Sequence, residues 1–500
     1  MEAGSGNMSL YAAIALGALA LLSIILAIRG ARKTKSLSDY ALGSQQFSPL
    51  SVGLALAASM TSAATFIINP GIIGYYGLSA FIAYAIVLPI AALFTLVIVS
   101  KAFRQMGVKQ GSLSLSHWME SQYQSPFLGK FFAFLSLLML TFIVLIVVGL
   151  SQVIGSSLGI EVEQAMYILV VVVFGYMMFG GANSMVYTNT IQAILMLIVA
   201  ALLIASGYEH FSDGIHGFIE KLENIDPNLA AVPYPESPLF RDFFEIILCQ
   251  VLIGVAIIFQ PHIITKSLLL KSDTALNKYL ITAVIVEILF FLVVITGLYA
   301  RLEFPDLSID GSPLPPDQMV SVYVIREFPV WLGLIVILGL ISAGLSTLEG
   351  LIQSLSTIIN REIVQAYFFK KTELGENKKL LLNRIIIGLL ALVSVIWSYQ
   401  QIKDPNLSVA LLAQNGVYAF FAAAFVPIAF GLFINNFNRL AATTAAIVAV
   451  ITHFSTYYLR LGPYMQEEIR NPAVAASYAI IAACLSALVL YWTSAKKSRS

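Results

Sequence analysis

The sequence predicts an all-α polytopic membrane protein, and three observations carry that prediction. Only 11% of its residues are charged while 59% are hydrophobic, less than half the ~25% charged content of a soluble domain. Its apolar runs exceed the ~18 residues that mark a membrane-crossing helix. The alternating ~10-residue segments of a closed barrel, the other architecture able to span a bilayer, are not found.

In chain order, thirteen spans are expected, at residues 9–29, 48–76, 79–100, 131–157, 164–181, 188–207, 243–265, 278–300, 330–360, 383–402, 407–434, 440–459 and 472–493. The first has no basic residue in the "MEAGSGNMSL" ahead of it and is followed by "RGARKTK". It therefore reads as an uncleaved span with its N-terminus outside, not as a signal peptide. The second carries Ser59, Thr61, Ser62 and Thr65 and then Asn69, Pro70 and Gly71. The third runs into Lys101, Arg104 and Lys109, and few polar residues part the fifth from the sixth. The seventh is interrupted by Gly254 and by "FQPH" at 259–262, and the ninth holds "ISAGLSTLEGLIQSLS" at 341–356.

This threading puts Lys221, Arg241, Arg301, Arg326, Lys403, Arg460 and Arg470 outside. The other Lys and Arg residues, Lys266, Lys370, Lys371, Lys496, Lys497 and Arg499 among them, fall inside. Such an excess on one side predicts N-terminus out and C-terminus in. The chain reads as a single transmembrane domain, 1–500, whose only sizeable extramembrane pieces are the loops 208–241 and 302–320.

Composition and motifs exclude several functions. Cys249 and Cys484 both fall in apolar runs and make no disulfide framework or metal cluster. A net charge of +1 implies no nucleic-acid partner. The sequence has no nucleotide loop, metalloprotease motif or nucleophile elbow, so no enzyme is expected. The five histidines are scattered, and His453 reads as a packed one. No charged ring points to a channel. A solute sensor would need a signalling module, and only "WTSAKKSRS" follows Tyr491.

Polar residues gather in two spans. In the ninth, Ala343, Ser346 and Thr347 are spaced i, i+3, i+4 and share one helical face, which Gly350 and Ser354 continue. Such a stripe also serves close helix packing. In the second, Pro70-Gly71 and the small residues before it allow unwinding, which frees carbonyls that need a partner in hydrocarbon. A hard cation is such a partner, held by carbonyls of a broken helix and hydroxyls of its neighbour. The seventh span is interrupted five spans after the second, the spacing of an inverted five-helix repeat.

The residues then resemble a family. "SDYALGSQQFSPLSVGLALAASMTSAATFIINPGIIGYYGLS" (38–79) is similar to the N-terminal signature of the sodium/solute symporter family. "FGGANSMVYTNTIQ" (179–192), "FQPHIITK" (259–266) and "AGLSTLEGLIQSLSTIINREI" (343–363) resemble its later signatures, in order. Thirteen spans with an outside N-terminus match its bacterial branch of proline and pantothenate permeases. The resemblance implies the leucine-transporter fold: an extra first helix (9–29), inverted repeats over 48–207 and 243–434, and two C-terminal helices (440–493). It implies a sodium site with carbonyls from Ala58, Thr61 and Ala343 and hydroxyls from Ser346 and Thr347. It also implies Na+-coupled symport across the cell membrane, a bacterial inner membrane, by a chain acting as a monomer. Proton-coupled or uncoupled transport and a membrane solute sensor remain the alternatives.

Two departures from the family pattern bear on the ion. Met60 and Asn189 stand where relatives carry carboxylates, which removes fixed negative charge from the cation route. Glu349 follows Ser346 by three residues, about 60° round the helix, and is the candidate to restore that charge or couple a proton. Glu287 has no polar partner that sequence can place beside it. For the solute, no Lys or Arg lies mid-span. The seventh span reads "QVLIGVAIIF", with Ile253 and Ile257 where proline-type members have aromatics. Thr65, Gln250, Gln414 and Asn415 are the candidate solute contacts, though each can also hydrogen-bond helix to helix. The expected solute is a small monocarboxylate-, pantothenate- or amino-acid-like molecule rather than a sugar.

Overall fold

Hydrocarbon offers no water to backbone N–H and C=O groups, so apolar runs of this length satisfy them within helices. The computed structural model describes residues 2–43, 47–309, 311–369, 374–403, 409–435 and 437–497, with side chains from residue 9 to residue 493. Lys370, Lys371 and Arg499, and the side chains of Lys496 and Lys497, lie outside the described residues.

The helices that frame the site are α1 (Glu2–Ala31), α2 (Pro49–Met60) and α3 (Asn69–Phe81), then α4 (Leu88–Lys109). Next come α5 (Pro126–Leu158), α6 (Val162–Gly180), α7 (Ala182–Ser206), α8 (Phe244–Ile257), α9 (Pro261–Leu269) and α10 (Asp273–Glu303). The last are α11 (Val330–Phe368), α12 (Glu376–Lys403), α13 (Val409–Phe433), α14 (Arg439–Tyr458) and α15 (Pro472–Thr493). Among the described residues, eleven helices are long and apolar enough to cross a membrane, and twelve if α8 and α9, bent by 55°, form one span.

The count departs from thirteen at one place. Residues 64–109 form a continuous helical run of 46 residues, about 69 Å at 1.5 Å per residue, more than twice a ~30 Å hydrocarbon core. It turns sharply at Gly77 (φ 58°, ψ −141°). The left-handed φ suits glycine, and a Cβ there would stand 2.1 Å from the Leu229 carbonyl. The other half of the expected second span is α2, short by itself, started by Pro49 and capped by Ser48 Oγ accepting from Ser51 N.

Burial orders the helices. In α13, 78% of the most apolar window is buried, against 17% in α1 and 28% in α12, which sets α13 at the centre and the other two at the rim. Every residue of α11 from Gly339 to Ile358 is buried. Outside the spans, the loop 208–241 folds into a helix at Gly214–Ile225, and 302–320 contains a two-residue hairpin pairing Ser308 with Pro313. Helix Pro316–Glu327 lies over α3: a Cβ on Gly71 would come 2.0 Å from the Pro316 carbonyl oxygen.

Candidate cation and solute site

The interruption expected in the second span lies between α2 and α3. The α2 ladder ends with Thr61 N–H on the Ala57 carbonyl at 3.0 Å, and Thr61 is extended (φ −94°, ψ 96°). A widened turn over Ala64–Ile68 leads into α3, where Pro70 cannot donate a backbone hydrogen bond.

Carbonyls of this last α2 turn are met by hydroxyls from α11. Ser346 Oγ lies 2.6 Å from the Ala58 carbonyl and 3.0 Å from that of Ala343. Thr347 Oγ1 lies 3.0 Å from the Ser59 carbonyl and 3.4 Å from that of Ala343. Each hydroxyl has a single hydrogen to give, so each faces two acceptors with one donor. This surplus of neutral oxygen, fully buried, suits a hard cation. Ala58, Ala343, Ser346 and Thr347 are thus brought together. Thr61 stands at the break, but its hydroxyl turns away and donates to Glu287 Oε2 at 2.6 Å. Glu287 therefore does have a polar partner, at the break after α2 and 226 residues away in sequence.

Glu349 is surrounded by donors rather than by the cation's oxygens. Tyr176 donates at 2.6 Å, Thr188 at 2.5 Å and Gln192 at 3.1 Å. The Asn189 amide, oriented by the hydrogen-bond network, accepts from Ser59 at 2.7 Å and donates to Glu349 at 3.2 Å. The residue that lacks the family's carboxylate thus touches a carboxylate supplied by α11.

The sequence places Lys266 among the inner-loop cations. It instead lies in α9, 2% exposed, with Nζ donating to the Ala55 carbonyl at 2.9 Å and to Ser59 Oγ at 2.5 Å. Hydropathy alone reads a lysine at a span's end as marking the boundary. The 55° bend between α8 and α9 folds it back against α2. Gly254 does not interrupt its helix. It allows close approach, since a Cβ there would stand 2.5 Å from the Leu88 carbonyl; the break falls at 258–260.

A cavity opens where both breaks meet. It is lined by Met60, Ser62, Thr65 and Asn69 from the first break, by Ile257 and Gln260 from the second, by Tyr84, Phe142 and Phe291, and by Gln414, Tyr418 and Phe421 of α13. Among the described residues, none that lines it is charged. Thr65 and Gln414 are among the residues that line it. Gln250 is buried outside its lining. Asn415 is also outside it, with its amide nitrogen on Tyr458 and its oxygen on His453, which is packed as expected. Gln260, which is not among the expected solute contacts, also lines the cavity. Its Oε1 has no hydrogen-bond partner, and the "FQPH" interruption was the signal that marked it.

Outside the spans, His117 Nε2 sits 3.0 Å from Arg361 Nη2. Burial, reinforced by that guanidinium, pushes the His117 pKa down to about 4.

Two discontinuous helices meeting at an uncharged cavity beside a cluster of neutral oxygens define a membrane protein with the framework of a secondary transporter. The model of the sodium:solute symporter family matches residues 40–449, and the chain belongs to that family. The sodium/pantothenate symporter of Escherichia coli (strain K12) is 27% identical over 446 residues, covering 85% of this chain and 87% of its own. The sodium/proline symporter of Haemophilus influenzae is 24% identical, covering 84% and 83%. The sodium-coupled monocarboxylate transporter 2 of Homo sapiens is 22% identical, covering 69% and 56%. A Na+-coupled sialic acid symporter, solved substrate-bound and outward-open, matches with a TM-score of 0.78 at 16% identity, covering 96% and 98%. That likeness concerns the fold.

Proposed function

We propose that this family member couples the inward movement of Na+ to uptake of a small organic solute by alternating access. One observation carries the reading: both helix breaks border the same cavity, and the first break shares its carbonyls with the hydroxyls of α11. Ala58, Thr61 and Ala343 carbonyls with Ser346 and Thr347 hydroxyls hold the ion. Glu349, reached through Asn189, supplies the negative charge that Met60 and Asn189 do not. Thr65, Gln260 and Gln414 orient the solute among apolar neighbours. A solute carboxylate meets the helix N-termini at the breaks or the ion itself, because the lining holds no cationic side chain. The named relatives that carry pantothenate, proline and monocarboxylates favour the same solute class.

In this reading α2 with α3 forms one interrupted crossing and the run beyond Gly77 the next, which brings the spans to thirteen. The charge bias places the N-terminus outside and the C-terminus inside the cell membrane. Inverted repeats run over 48–207 and 243–434, and the chain works as a monomer. The test is uptake into proteoliposomes of labelled pantothenate, acetate, pyruvate, proline and glucose, with and without an inward Na+ gradient. One of the first four should accumulate with sodium. Uptake driven by a proton gradient and indifferent to sodium would sink the proposal.

A further inference from the structure

Lys266 ties α9 to α2 at the edge of the candidate cation site. Its two acceptors, the Ala55 carbonyl and Ser59 Oγ, belong to the C-terminal part of α2, where a helix presents partial negative charge. Ser59 Oγ also lies 3.1 Å from the Ser346 carbonyl, and Ser346 Oγ lies 2.6 Å from that of Ala58. One hydroxyl thus separates the lysine from the residues that hold the ion. On the far side of Ser59, Asn189 links it to the Glu349 carboxyl group. Met60 and Asn189 are neutral, so neither offsets the lysine.

We infer that Lys266 is a tethered cation that competes with the coupling ion for the negative end of α2 and thereby sets the affinity of the site. An ion seated between α2 and α11 repels the ammonium and weakens its hold on Ala55 and Ser59. Ion binding and the loosening of α9 from α2 are then one event. The inference rests on the sodium reading and concerns a different residue, so the two fail separately.

The experiment measures 22Na+ binding to the purified full-length protein, in the wild type and in Lys266→Met, Lys266→Gln and Lys266→Arg. The neutral variants should bind Na+ at least about tenfold more tightly, a change of about 1.4 kcal/mol. Lys266→Arg, which keeps the charge, should stay close to the wild type. A lysine that merely braces the fold predicts the reverse, weaker binding or none in the neutral variants. Neutral variants that fold but bind Na+ no more tightly than the wild type overturn the inference, as does failure of both to fold. Absence of Na+ binding in the wild type and all variants overturns the sodium reading itself.

Discussion

Replacing Ser346 by Ala deletes the oxygen that lies 2.6 Å from the Ala58 carbonyl and 3.0 Å from that of Ala343. Replacing Thr347 by Ala deletes the one 3.0 Å from the Ser59 carbonyl. Each hydroxyl acts on the bound ion as a polar group acts on a charge, worth about 1.5–3 kcal/mol. Each single change should therefore raise the sodium concentration for half-maximal uptake about 10- to 100-fold, and the double change about 1000-fold. The stranded carbonyl also costs the fold about 1–3 kcal/mol, so melting temperature is measured alongside. Ser346→Thr keeps the hydroxyl and should stay within a few-fold of the wild type. The assay is initial-rate uptake into proteoliposomes across a sodium titration. A folded double variant with unchanged sodium dependence would refute the assignment of these oxygens.

Three further outcomes are expected. Glu349→Gln keeps the shape that Tyr176, Thr188 and Gln192 enclose but removes the charge. It should weaken apparent sodium affinity by about tenfold, as loss of a nearby opposite charge in a partly screened interior does, and change the pH profile of uptake. An unaltered affinity and profile removes Glu349 from the mechanism. Gly71→Ala puts a Cβ 2.0 Å from the Pro316 carbonyl, and such overpacking costs about 1–3 kcal/mol. It should slow transport while solute binding to purified protein persists; a wild-type rate contradicts this. His117 carries the pH prediction. Its folded pKa, about 4, lies below its ordinary 6.5, so the unfolded chain binds the proton first as pH falls. The stability it contributes is complete above about pH 6.5 and is lost as pH falls toward 4. The wild type should lose more melting temperature between pH 7.5 and pH 5 than His117→Gln does, and equal losses count against it.

The stripe of Ala343, Ser346 and Thr347 was legible because i, i+3, i+4 spacing fixes one helical face whatever the helix packs against. Pro70, which the sequence reads as part of the interruption, lies inside the helical run 64–109, and the break falls before it, at Thr61, among the small residues. Gln414 and Asn415 show where such reading stops. Adjacent helical residues diverge by about 100°, and only the position of α14 decides that Asn415 turns to His453 and Tyr458. Glu287 found its partner in Thr61 across 226 residues, a pairing no local pattern encodes. Lys266 was misplaced for the same reason: the bend that carries it to Ala55 and Ser59 is a tertiary event.

Reciprocal flux tests the central claim most directly. Once the uptake panel has identified the solute, an inward gradient of that solute is imposed on proteoliposomes holding equal 22Na+ on both sides. The account expects net 22Na+ accumulation that follows the solute gradient and is lost in the Ser346→Ala, Thr347→Ala double variant. Solute that moves down its gradient at the wild-type rate while 22Na+ stays at equilibrium would contradict it.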